Sequence, residues 1–231
     1  MPKEKQMETD GRARLMELFD LLIERYGARH WWPADTPFEV CVGAILTQNT
    51  NWTNVEKAIV NLKREGLLSM DALWDIEQER LADLIRPSGF FNVKSVRLKE
   101  FIGWVLERHG SLDAMFSGDW RELREELNAV RGIGRETCDS ILLYAGEKPS
   151  FVVDAYTKRL FSRLGLVSET ASYEEIRSLF MDALPLDAAL YNEYHALIVE
   201  HCKRHCRKKP ICDGCPLKGL CRHCPTNHQC R

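Results

Sequence analysis

Apolar residues recur at spacings of three and four along nearly the whole chain, the period of a helix with one buried face. Leu15, Leu18, Phe19, Leu22 and Ile23 share such a face, and the Tyr26-Gly27 pair supplies a stop signal. After a loop containing Pro33 and Pro37, residues 38–46 are apolar apart from Glu39, which predicts a buried helix. The polar run Thr47-Gln48-Asn49-Thr50-Asn51 breaks the pattern before helical periodicity resumes over 52–64. Further helices are predicted over 70–74, 77–85, 93–109, 112–116, 120–127, 135–144, 156–164, 173–184 and 188–201. β-branched alternation is nearly absent, and Phe151-Val152-Val153 is too short to build a sheet. The pattern therefore predicts an all-α protein of many short helices. Its expected division is a bundle over 38–147 and a second domain made of 1–37 together with 148–231.

One junction in this pattern carries chemistry. Arg131-Gly132-Ile133-Gly134 sits between two predicted helices, within 127–145. Two glycines two positions apart allow close backbone approach, and the following helix start favours an anion. Gly132, Ile133 and Gly134 are therefore expected to offer N–H groups to a phosphate, with Arg131 and Arg135 adding charge. Asp154 follows directly on the apolar 151–153 run. Two readings are open for this stretch: a generic helix-turn-helix with Asp154 as a helix cap, or a DNA-phosphate clamp feeding an acid at an active site.

Composition narrows the choice. At 231 residues, 45% apolar and 29% charged, the chain has room for one or two ordinary cores. The formal charge of -2 hides an asymmetry: the last thirty residues carry +7 and the remainder -9. A basic end on an acidic body suits a polyanion. The charged opening does not read as a signal peptide, so none is expected, and no apolar run approaches the ~18 residues of a membrane span. A cytoplasmic, nucleoid-associated protein is expected. Of nine cysteines, seven lie between Cys202 and Cys230, which in an intracellular chain indicates metal rather than disulfides. Cys206, Cys212, Cys215 and Cys221 are separated by gaps of five, two and five residues. Four thiolates in so short a loop can wrap a cubane iron–sulfur cluster. Zinc is the rival, through the C-x2-C pairs of Cys212, Cys215, Cys221 and Cys224, although these lie closer together than in zinc ribbons. Cys202, Cys224 and Cys230 are then spare, and Cys41 and Cys138 read as small core residues.

Taken together, RGIGRET, FVVDAYTKR and the four-cysteine loop resemble the endonuclease III branch of the helix-hairpin-helix DNA glycosylases, over about residues 38–221. The resemblance implies a six-helix barrel domain beside an iron–sulfur domain (cluster loop 206–221) that holds a 4Fe-4S cluster. It also implies double-stranded DNA in the groove between them, a flipped damaged base, cleavage of its N-glycosidic bond and a monovalent cation at the hairpin. A monomer with no membrane attachment is expected. Asp154 would stabilise the oxocarbenium formed at the sugar and orient water.

Bifunctional members carry a lysine two residues after the second hairpin glycine. Glu136 stands there, and a carboxylate cannot form the imine that strand cleavage needs. Glu136 also suits the helix dipole, with a lesser catalytic role. The first gap of the cysteine loop is one residue shorter than in endonuclease III itself. The wording GIGxETxDSILLYA resembles the endonuclease III-related methylpurine (3-methyladenine) glycosylases, which are monofunctional.

On this resemblance Gln48 fills the hole left by the flipped base. Phe90 or Phe91 with Asn92 forms a second wedge, and Lys94 and Arg97 lie near the DNA backbone. Trp31, Trp32 and Pro33 surround the base, where a cationic methylpurine gains from aromatic faces. Alternatives are a uracil, thymine–guanine mismatch or oxidised-base glycosylase, and a non-catalytic binder of damaged DNA, which would have no use for Asp154.

Overall fold

The computed structural model describes residues 3–29, 31, 32 and 34–224. Among them the regular elements are α1 (Lys3–Tyr26), α2 (Pro37–Leu46), α3 (Trp52–Arg64), α4 (Met70–Asp75), α5 (Gln78–Leu84), α6 (Phe91–Arg108), α7 (Leu112–Ser117), α8 (Trp120–Ala129), α9 (Arg135–Ser140), α10 (Ala155–Leu164), α11 (Tyr173–Ala183) and α12 (Ala188–Arg204), with short 3-10 turns at Arg86–Ser88 and Lys218–Leu220. No strand occurs among the described residues, and none of the helices is long and apolar enough to cross a membrane.

The chain falls into two compact units, Trp32–Lys148 on one hand and Met1–Trp31 with Pro149–Arg231 on the other. In the first, α2 is the central helix and packs against α3, α6 and α9. Thr36 caps it through the Glu39 N–H, Pro37 opens it, and Phe38 to Leu46 are buried without interruption. That burial accounts for its lack of an apolar stripe. Around it α3 and α6 supply Val55, Ala58, Leu62, Leu98, Ile102 and Val105 to the core.

In the second unit α1 packs on α11 and α12, and α10 on α12. Leu15, Leu18 and Leu22 enter the core, and the Tyr194 hydroxyl donates to the Leu15 carbonyl at 2.7 Å. The Phe151 ring stacks on Phe180 with centroids 3.7 Å apart. Burying such a ring stabilises a fold by roughly 2–3 kcal/mol. The 151–153 run is buried and belongs to no helix or strand.

Two elements differ from the sequence pattern. α1 begins at Lys3, well before its apolar face, because the charged opening is rich in good helix formers. The helix expected over 135–144 stops being α at Ser140 and continues as a π turn, Ile141–Ala145, closed by the Gly146 N–H on the Ile141 carbonyl at 3.1 Å. Gly146 has to be small there: a Cβ on it would lie 2.5 Å from the Phe116 ring.

Candidate functional site

The hairpin is fixed from both sides. The Arg124 guanidinium on α8 grips the buried Asp139 carboxylate on α9 at 2.7 and 2.9 Å, a bidentate pair that sets the angle between the helices. Between them Gly132 has φ +87°, and a Cβ on it would meet the Arg97 side chain at 2.5 Å. Both the backbone conformation and the close approach demand glycine. Ile133 is buried and anchors the turn, while Gly134 is extended and caps α9 without a side chain. The first intrahelical bond runs from Cys138 N–H to the Gly134 carbonyl at 2.8 Å. The Ile133 N–H, expected from the sequence to face a phosphate, donates instead to the Val130 carbonyl at 3.0 Å, because the turn closes on itself there. Arg131 is largely exposed, 3.7 Å from Glu100, and Arg135 and Glu136 are exposed on the first turn of α9.

Gln48 is tied to this hairpin. Its Nε2 donates to the Gly132 carbonyl at 3.0 Å and to Thr137 Oγ1 at 2.9 Å, while its Oε1 accepts from Arg97 Nη1. Phe90 stands at the next prominent loop, 68% exposed and in the left-handed region at φ +47°. An exposed aromatic ring on a strained backbone is unusual on both counts. Lys94 does not lie near a surface where DNA could pass: it is 1% exposed, and its Nζ donates to the Leu46 and Ser88 carbonyls. The expected phosphate contact at Lys94 is replaced by an internal tie, because Lys94 falls with Ser95 on the buried face of α6, whereas Asn92 and Val93 before it are exposed.

The two tryptophans part company. Trp32 meets Trp52 edge-on at 4.9 Å and lies tilted on Tyr144 at 5.0 Å, with Gly43 of α2 beneath both indoles. Trp31 instead carries the Lys203 ammonium over its ring at 5.5 Å. Pro33 lies outside the described residues. Trp52 and Tyr144 were not singled out by the sequence, since each reads as an ordinary apolar position of a helix.

Asp154 caps α10. Its Oδ1 accepts from the Thr157 N–H at 2.7 Å and from Thr157 Oγ1 at 2.9 Å. Its Oδ2 faces His195 Nε2 of α12 at 3.6 Å. Burial alone would raise this carboxyl, but the His195 ring and the Thr157 donors outweigh it and hold the group below its ordinary 3.8. The carboxylate thus keeps its charge in a largely buried position, its side chain 14% exposed. Capping and carboxylate chemistry are compatible, because they use different oxygens. Thr157 was legible as the third residue after a cap; His195, far along the chain, carried no local signal.

Cys206, Cys212, Cys215 and Cys221 line one pocket, together with Cys224 and His201. Arg163 Nη1 donates to Cys206 Sγ at 3.3 Å, and His201 Nε2 lies 3.9 Å from Cys215 Sγ. The neighbouring Cys202 thiol, then the Arg163 and Arg159 cations, outweigh burial and hold the Cys206 thiol below its ordinary range. Among the described residues, no three His, Cys, Asp or Glu side chains close on a single metal ion. Four thiols turned to one pocket fit the donor set of an iron–sulfur cluster; of these only Cys206 has cations that favour its thiolate, while burial pushes Cys212, Cys215 and Cys221 above the ordinary thiol range. Cys224 is buried in the same pocket, and Cys230 lies outside the described residues.

Comparison with known proteins bears on this arrangement. Residues 42–186 match the family model described as HhH-GPD superfamily base excision DNA repair protein. A putative DNA repair glycosylase of Methanocaldococcus jannaschii is 52% identical over 209 residues, covering 90% of this chain and 95% of the relative. The H. pylori 3-methyladenine DNA glycosylase bound to 1,N6-ethenoadenine superposes with a TM-score of 0.71 at 32% identity, covering 85% of this chain and 97% of that one. A non-covalent endonuclease III–DNA complex gives a TM-score of 0.80 at 21% identity over 94% of this chain and 98% of that one, a likeness of fold. The chain belongs to the HhH-GPD superfamily of base excision DNA repair proteins, and is a DNA glycosylase of that superfamily.

Proposed function

We propose that this protein is a monofunctional glycosylase for alkylated purines, 3-methyladenine and 7-methylguanine above all, acting as a monomer on double-stranded DNA. The observation that carries the monofunctional reading is Glu136 on the exposed first turn of α9, where bifunctional relatives need an amine. With no lysine at that position, water is the nucleophile and the product keeps an intact strand.

The hairpin backbone at Gly132 and Gly134, anchored by Ile133 and aided by Arg131, Arg135 and a bound monovalent cation, grips a phosphate without reading sequence. Gln48 leaves its hairpin partners and fills the vacated stack while Phe90 enters from its own loop. Asp154, charged and with Oδ2 away from the Thr157 donors, stabilises the oxocarbenium and orients water. A cationic methylpurine is already a good leaving group, so the site needs no strong general acid. The Trp32, Trp52 and Tyr144 rings give a cationic base aromatic faces to meet, and the 32% identity to a 3-methyladenine glycosylase supports the same base class. Cys206, Cys212, Cys215 and Cys221 would hold a 4Fe-4S cluster, whose chemistry here is to cross-link a loop with little regular structure.

Duplexes carrying 3-methyladenine, 7-methylguanine, uracil opposite guanine, thymine opposite guanine, or thymine glycol test the reading, each scored with and without alkali. Release of the methylpurines with strand breaks only after alkali is expected. Breaks without alkali would overturn the monofunctional assignment, and preferential release of uracil or thymine would move the enzyme to the mismatch class.

A further inference from the structure

Lys94 is a buried cation that no carboxylate pairs with among the described residues. Among the described residues no other lysine or arginine is buried to this degree. Its ammonium donates to two backbone carbonyls, Leu46 at 2.8 Å and Ser88 at 2.7 Å. Burial, and then the neighbouring Arg97 charge, push it down to about 8 from its ordinary 10.5. A charge held in this way is costly, and an apolar side chain of the same length would commonly serve stability as well.

What the ammonium joins is informative. Leu46 ends α2 and offers one of that helix's orphan carbonyls; Gln48 follows two residues later. Ser88 ends the 3-10 turn at Arg86–Ser88; Phe90 likewise follows two residues later. One cation therefore clamps the two chain segments from which Gln48 and Phe90 project, at the same distance along each. Arg97, one helical turn further along α6, continues the tie by donating to Gln48 Oε1 and lying against Gly132.

We propose that Lys94 is a positioning residue for base extrusion, which fixes the separation of the Gln48 and Phe90 loops so that both enter the duplex together. This rests on the reading of Gln48 and Phe90 as the two residues that fill the opened stack. Unstacking a nucleotide costs a few kcal/mol, and only wedges already in place can return that energy on contact. With the clamp removed, part of the binding energy goes into ordering two loops, and the loss falls on opened DNA rather than on intact duplex.

The test compares the full-length protein with Lys94→Met on two duplexes, one undamaged and one carrying a tetrahydrofuran abasic analogue opposite 2-aminopurine. The variant is expected to lower the preference for the abasic duplex by about tenfold and to reduce the 2-aminopurine fluorescence change. Its affinity for undamaged duplex, which the hairpin governs, stays within about twofold. Equal weakening on both duplexes would make Lys94 a residue of general stability and overturn the proposal, as would unchanged preference. Lys94→Gln, a shorter donor in the same channel, carries the same test should the methionine variant not fold. Gln48→Ala and Phe90→Ala separate the two levels: if neither alters the preference, the wedge reading itself fails. If they alter it and the Lys94 variants do not, the wedge reading stands and the clamp alone fails.

Discussion

The hairpin and the cysteine loop are both irregular connections that touch function, yet they are held in opposite ways. Around the hairpin, Arg124, Asp139, Gln48, Arg97 and the buried Ile133 fix the turn with side chains of the same folded unit. From 205 to 224 the chain has one 3-10 turn, few buried apolar side chains, and outside ties chiefly from Arg159 and Arg163 to backbone carbonyls. The first region is complete as polypeptide. The second turns five thiols to one pocket. On the proposed function, substrate grip and the integrity of this loop would be assigned to different chemistry, one polypeptide geometry and the other an inorganic cluster.

Four perturbations sharpen or break that contrast. The largest effect is expected from Asp154→Asn, which keeps a capping oxygen for Thr157 but removes the charge: single-turnover base release should fall by about 10²–10³-fold, with duplex affinity little changed in a binding assay. A comparable loss of affinity would mean that Asp154 serves only the fold. Next comes Cys215→Ser, which should lower iron and sulfide content and reduce the apparent unfolding free energy by about 3 kcal/mol as the bound group is lost. Hydrogen exchange at the hairpin amides should stay native in that variant; if the hairpin loosens as well, the two regions are not independent.

Gly132→Ala acts on the other side of the comparison. The left-handed backbone and the Arg97 contact put about 1–3 kcal/mol of strain into the turn, so undamaged-duplex affinity should fall several-fold while iron content is unaffected. The fourth effect is in pH. Because the Lys94 ammonium titrates near 8 when folded and near 10.5 when unfolded, the unfolded chain holds the extra proton between those values. Folding stability contributed by this group therefore rises with pH across that window. Chemical denaturation should show wild type gaining on Lys94→Met from pH 8 to 10.5, and a flat difference would count against the buried charge.

The helical architecture was legible because apolar spacing, caps and glycine stops agree along most of the chain. Thr36, Asn51, Ser69, Ser111, Asp119, Asp154 and Ser172 all cap the helices that follow them. The π turn at Ile141–Ala145 was not legible, since it changes the hydrogen-bond register without changing the apolar pattern. Gly132 and Asp154 could be located because a left-handed turn and a helix cap each favour a fixed residue type at a fixed place. His195 beside Asp154, and Trp52 and Tyr144 beside Trp32, are products of tertiary packing. Lys94 shows the limit most clearly: next to Arg97, on a helix after an exposed aromatic turn, it reads as a surface cation. Only the direction of its helical face makes it an internal one.

Phe90 links these matters to the history of the sequence. A ring that is 68% exposed on a left-handed backbone gives up about 1–2 kcal/mol that glycine at the same position would recover. Selection for thermal robustness alone would therefore tend to erase Phe90, and a library screened only for heat resistance should return Phe90→Gly among its winners. Such a winner would fold better and open DNA worse, so at this position stability and repair pull on the same codon in opposite directions.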